Sequence, residues 1–319
     1  MTGTTQILVG VDGSAHSRAA IGWAVQEAAL RGSTVLLVHV SDAAAYGLWT
    51  TTRTIRQGLR ELAQPIVDHA VDYAHSVNPA VPVRGRLILG SPVRTLLTLS
   101  TASTLIVVGR QGKGALAAHL VGSVSRYLMA HAHCPVIAVQ PPAAGEHSMP
   151  VKRVVVAVGD RQTTLRALEF GSQEAHLRGV PLRVLHACHQ PGWPYLTGQA
   201  GTVLPADEIE AERARIADLL TTAPVDTTGI EPVVHLGTPA QVMREYCRPT
   251  DLVVLGQHRH GHYLPATLGP IVSAALHELA CPIAVVAEPL LAPDASSEAL
   301  VATDQAERPV PAQVGVLSY

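Results

Sequence analysis

The 319-residue sequence lacks a basic excess, its formal net charge being -2. No broad positive field is therefore available to hold phosphate backbones by charge alone, which excludes nucleic acid as a main partner. Cysteine is scarce: Cys134, Cys188, Cys247 and Cys281 are the whole set, and none stands in a C-x-x-C spacing. Lying in or beside apolar runs, they read as reduced, buried thiols, which suits a reducing compartment. No run of about 18 apolar residues occurs, and MTGTTQILVGVDGS at the start has neither a basic leader nor a cleavage site. These absences predict a cytoplasmic protein with no membrane partner.

Three familiar motifs are missing as well. Gly112-Lys113 is followed by Gly114 and has no correctly spaced first glycine, so the phosphate-binding P-loop is absent. G-x-G-x-x-G does not follow the first apolar run, and G-x-S-x-G does not surround Ser123. A P-loop ATPase, a dinucleotide oxidoreductase and an α/β-hydrolase are all disfavoured.

What is present is a sequence doubled. Laid over itself without a gap, the chain brings Glu27 to Glu174, Arg31-Gly32 to Arg178-Gly179, His39 to His186, Gly90 to Gly237, and Pro92 to Pro239. Gly109 then meets Gly256, Gly122 meets Gly269, and Cys134-Pro135 meets Cys281-Pro282. A period this long marks a duplicated domain, because solenoid repeats run about 20 to 50 residues. The expected organisation is a domain at 1–141, a proline- and small-residue linker at 142–150, a second domain at 151–287, and a tail at 288–319 too poor in packing residues to order.

In the first half, ILVGV, TVLLVHV, VRGRLIL, TLIVVG and CPVIAV alternate with longer segments of helical composition. The alternation predicts parallel strands joined by helical crossovers, and near-continuous apolar strands predict helices on both faces. The fold class is α/β, two tandem doubly wound parallel-sheet domains. Strand order 2-1-3 and strand order 3-2-1-4-5 both reverse direction beside strand 1, where ligands bind beyond the strand ends.

Two loops would face that crevice. One is VDGS after strand 1, where Asp12 either forms a local turn with its own backbone or holds a ribose hydroxyl or a metal ion. The other is GRQGKGALAAHLVGS after strand 4. Gly109 and Gly112 carry no Cβ, so their amides can approach an anion, while Gly122-Ser123 opens a helix whose first N–H groups suit phosphate. Ser123 can also serve as the helix cap. Arg110 and Lys113 add local positive charge.

The pattern G-R-Q-G followed by G-S, carried by Gly109, Gly112, Gly122 and Ser123, with V-G-V-D-G-S ahead of it, resembles the ATP-binding class of universal stress proteins. The doubled chain resembles their tandem members. The resemblance implies the adenine nucleotide alpha hydrolase-like fold with strand order 3-2-1-4-5. It also implies Asp12 near the adenosine, the Val40 backbone at the adenine edge, and Gly109, Gly112, Gly122, Ser123 and Ser125 on the phosphates. In family members the fifth strands commonly pair across a domain interface, here CPVIAV with CPIAVV.

The second half departs from this pattern. Gly159 stands opposite Asp12, Arg259 replaces the second motif glycine, and Pro270 replaces the serine, while Gly256 and Gly269 are kept. The second site is expected to be weak or lost, although Asp160 and Arg259 leave room for another ligand. HRHGH offers His258, His260 and His262, but no nearby cysteine or carboxylate completes a zinc set, so no metal is assigned.

The function expected is a stress-response regulator that binds ATP in its first half, with Mg2+ left open as an accompanying ion. It would act as a homodimer built on an intrachain pseudo-dimer. A scaffold without required nucleotide, a slow ATPase, and an AMP or cyclic AMP binder remain the alternatives, since no distinctive catalytic set is present.

Overall fold

The computed structural model describes residues 5–42, 52–112, 121–142, 150–159, 161–188, 206–227, 230, 232–257 and 268–287. In the first half, β1 (Gln6–Gly10), α1 (Ala15–Arg31), β2 (Thr34–Ser41), α2 (Arg53–Val77) and β3 (Val83–Leu89) lead to α3 (Pro92–Ser100), β4 (Leu105–Gly109), α4 (Ser123–His131) and β5 (Val136–Val139). The second half repeats the series as β6 (Arg153–Val158), α5 (Arg161–Arg178), β7 (Leu182–Cys188), α6 (Ala206–Thr221) and β8 (Pro232–Leu236). It ends in α7 (Pro239–Tyr246), β9 (Asp251–Gln257), α8 (Pro270–Glu278) and β10 (Ile283–Ala287).

The strands form one sheet in the order β3-β2-β1-β4-β5-β10-β9-β6-β7-β8. Each half thus has the order 3-2-1-4-5, parallel throughout, and the two halves meet at an antiparallel pair in which Val136 faces Val285 and Ala138 faces Ile283. This register carries Cys134 and Cys281 to opposite ends of the ladder, and all four cysteines are free. Burial pushes the thiols of Cys134, Cys247 and Cys281 up to about 12, so they behave as small apolar residues.

Strand residues alternate between two core layers. Ile7, Val9, Leu37 and Val107 pack beneath α1 and α2, and Val154, Val156 and Val254 continue that layer into the second half. Leu8, Val38, Ile106 and Val108 face the opposite layer, with Leu96 of α3, Leu128 of α4, Met243 of α7 and Leu276 of α8. Covering both faces explains why the strands read as unbroken apolar runs.

Local signals set the helix ends. The Ser14 hydroxyl accepts from the Ser17 N–H, and Thr52 and Thr238 cap α2 and α7 in the same way. Gly32 ends α1 in the left-handed region at φ 61°, and Gly179 holds the matching position at φ 62°.

Candidate functional site

The sheet order reverses beside β1, which lies between β2 and β4, so the loops leaving β1 and β4 share one crevice. In the first loop Asp12 Oδ1 accepts the Ser14 N–H at 2.9 Å, and Gly13 takes φ 77°. The local-turn role of Asp12 is therefore real, but it uses one oxygen. The other, Oδ2, is turned toward the second loop, where a Cβ on Gly112 would lie 2.7 Å from it. The two loops meet at that point.

The glycines of the second loop serve different ends. A Cβ on Gly109 would lie 2.7 Å from the backbone carbonyl carbon of His16, so Gly109 lets the first turn of α1 rest against β4. Its counterpart Gly256 has the same relation to Thr163, with a Cβ 2.5 Å from the Thr163 oxygen. Among the described residues Gly112 is confronted only by the end of a flexible carboxylate. The Gly122 N–H donates to Arg110 O at 2.7 Å, folding the loop back, and Gly122 then caps α4 without any side-chain hydrogen bond. Ser123 is consequently not the cap but the first residue of the helix, and it is exposed.

Two further assignments change in character. Arg110 does not supply its charge to the loop. Its guanidinium donates to the main-chain oxygens of Leu276, Leu279 and Cys281, and to Gln140 Oε1 at 3.1 Å. A charged side chain beyond a helix end satisfies the last carbonyls of α8, and burial pulls the Arg110 guanidinium down to about 10. Ser125 is buried and its hydroxyl donates to Gly109 O at 2.7 Å, tying the first turn of α4 to the end of β4. Val40 stays at the far end of β2, half-buried beside Ile88 of β3. Lys113 lies outside the described residues.

Two histidines at this crevice had no role assigned from sequence. His16 packs on Gly109, and burial, then Arg110, holds its ring below the ordinary histidine range. His39 donates Nδ1–H to Val11 O at 2.7 Å, as His186 does to Val158 O at 3.0 Å. The repeat of His39 as His186 was the signal available. Its meaning needed the neighbouring strand.

In the second half the same crevice is built from different chemistry. Where the first half has Asp12, no atom of the described residues lies within 4 Å of a Cβ placed on Gly159. The Gly269 N–H is taken by Gln257 Oε1 at 3.4 Å, and Pro270 at the first position of α8 has no N–H to offer. Asp160, Arg259 and the histidines His258, His260 and His262 lie outside the described residues. Among the described residues no group of three or more histidine, cysteine or acidic side chains converges as a metal site. No described helix is long and apolar enough to cross a membrane.

Comparison with known proteins agrees with this architecture along nearly its whole length. Universal stress protein Rv2005c of Mycobacterium tuberculosis is 30% identical over 291 residues, covering 88% of this chain and 96% of that protein. Universal stress protein Rv1996 of the same species is 30% identical over 315 residues, covering 89% and 95% respectively. A crystal structure of a universal stress protein from Archaeoglobus fulgidus shares the fold with a TM-score of 0.62 at 17% identity, over 89% of this chain and 97% of that one. The family model for the universal stress protein family matches residues 3–140 and again 150–287. The chain belongs to the universal stress protein family and carries two of its domains in tandem.

Proposed function

We propose that the first half holds an adenine nucleotide, ATP in the leading reading, and that occupancy alters association or partner choice. The observation that carries this is the start of α4. Its cap is a glycine with no capping side chain, set where the carboxylate of Asp12 meets Gly112. An α-helix start presents N–H groups and a positive dipole end, the chemistry a phosphate needs. The residues fit such a group: the Ser123 and Gly112 backbone would hold phosphate, and Asp12 would face the sugar. The Val40 backbone would lie toward the base. Mg2+ would enter on the phosphates. Among the described residues no side chain at the crevice is arranged to orient an attacking water, so binding rather than turnover is the proposed chemistry. Four free thiols, one of them buried and three partly buried, favour the cytoplasm as its compartment.

The second half supplies its own control. Pro270 starts α8 without disturbing it, so Ser123→Pro is expected to leave α4 folded while removing one amide donor. Titration calorimetry should give ATP binding that weakens about ten- to hundredfold in Ser123→Pro, the worth of one hydrogen bond to a charged group. Unchanged affinity would overturn the phosphate assignment. Parallel titrations with AMP and cyclic AMP identify the ligand, and phosphate release measured alongside separates enzyme from binder.

A scaffold reading is favoured by a different observation, the pairing of β5 with β10, which makes the chain a pseudo-dimer by itself. A homodimer of chains would have to use other surfaces. Light scattering with and without ATP distinguishes the two readings: assembly that ignores ATP supports the scaffold.

A further inference from the structure

The second-half crevice is a cavity of about 350 Å³, bounded by the ends of β6, β7 and β9 and by the starts of α7 and α8. Its described lining contains no aspartate, glutamate, lysine or arginine. A pocket with one polar centre and charged flanks suits a nucleotide, whereas this one is walled by Leu185, Val242, Met243, Leu255, Ile271 and Val272.

Position by position, the repeat shows which groups were exchanged. Val242 stands where the first half has Thr95, and Val272 where it has Ser125. Pro270 replaces Ser123, and Gly159 replaces Asp12. Ala187 stands in place of Val40 and widens the floor. Val242 keeps nearly the shape of the threonine it matches, and Val272 exceeds its serine counterpart by one methyl-sized group, so both changes remove a hydroxyl and add apolar surface. The start of α8 also offers one amide donor fewer than the start of α4, because Pro270 has no N–H. Among the described lining residues His186 is the one titratable group, with Nδ1 on Val158 O and Nε2 at 2.8 Å from Glu212.

We propose that this crevice takes a small, uncharged, largely apolar molecule of up to three rings, in place of a nucleotide. The volume lies at the lower end of the range for small-molecule pockets, about 300 to 1,000 Å³. Burying an ionised phosphate against this described lining, which holds no cationic lysine or arginine, would cost much of its desolvation. An apolar ring instead gains from leaving water and meets no unsatisfied charge. The proposal is independent of what the first half binds.

The test uses the full chain and N-phenyl-1-naphthylamine, a neutral probe whose fluorescence rises in apolar surroundings. Saturable binding at one probe per chain, undisturbed by excess ATP, is expected. Ala187→Phe, which fills the half-buried floor, should weaken it at least tenfold. The double change Val242→Thr with Val272→Thr, which places a hydroxyl at each position at nearly constant volume, should weaken it about tenfold through buried polar groups. Melting temperatures confirm that each variant is folded, and either variant alone decides the matter if the other is not. Absence of saturable binding, displacement by ATP, or affinity unchanged in a folded variant would overturn the proposal.

Discussion

Two glycines in one loop owe their places to different neighbours. Gly109 faces the His16 backbone, which cannot move aside, whereas Gly112 faces a carboxylate, which can. Substituting Gly109 therefore tests packing, and only changes farther along the loop test binding. Arg110 lies between them and acts elsewhere, holding the carbonyls of Leu276, Leu279 and Cys281. Arg110→Met should lower stability by about 2–3 kcal/mol, since buried acceptors lose a charged donor. Its ATP affinity should stay within about threefold of the parent, under half of what one such hydrogen bond is worth. Denaturant unfolding and calorimetry read the two effects separately. The sequence marks Arg110 only as a cation near glycines. Its true partners are the best part of half the chain away and become neighbours only when β5 pairs with β10.

At the scale of elements, β5 and β10 are short, apolar and wholly or almost wholly buried, and they sit at the centre of the sheet. The outer strands β3 and β8 carry several exposed residues and have one hydrogen-bonding edge each without a partner strand. Amide exchange should follow that order: slowest in β4, β5, β9 and β10, fastest in β3 and β8, as measured by mass spectrometry of deuterated peptides. Exchange in β5 as fast as in β3 would mean that the central pair opens independently. The strands were legible because each is a β-branched run between helical segments, and Val83–Leu89 follows the sequence reading residue for residue. Helix starts were less legible. Ser123 looks like a cap by type, yet the turn made by the Gly122 N–H to Arg110 O places the cap one residue earlier.

For the whole molecule, the repeat creates a site that neither half has alone. Glu27 and Arg31 of α1 meet Glu174 and Arg178 of α5 in a closed square, each carboxylate bound to both guanidiniums. Arg178 also lies 5.5 Å from the Trp23 ring centre. Glu27 and Glu174 are almost fully buried. Burial, then Glu27, raises the Glu174 carboxyl to about 7 against the pull of Arg178 and Arg31. The folded chain thus keeps a proton that the unfolded chain releases in the ordinary carboxylate range. Stability from this group is greatest below that range and is lost as pH rises through about 7. Glu174→Gln should accordingly show a smaller fall in melting temperature from pH 5 to pH 8 than the parent. His16, held low by burial, acts in the opposite direction, which is why variant and parent are compared with each other. Equal slopes would remove Glu174 from the account.

The sequence by itself determined the duplication, the α/β class and the place of the crevice, because strand pattern, glycine spacing and repeat are local and periodic properties of the chain. It also exposed the unequal halves, through Asp12 against Gly159 and Ser123 against Pro270. Tertiary structure alone decided that the halves share one sheet, that Arg110 serves the opposite helix, and that four matched charges close on one another. Each of those depends on which surfaces come together once apolar faces are buried, and contacts between distant segments leave no period in a sequence to read.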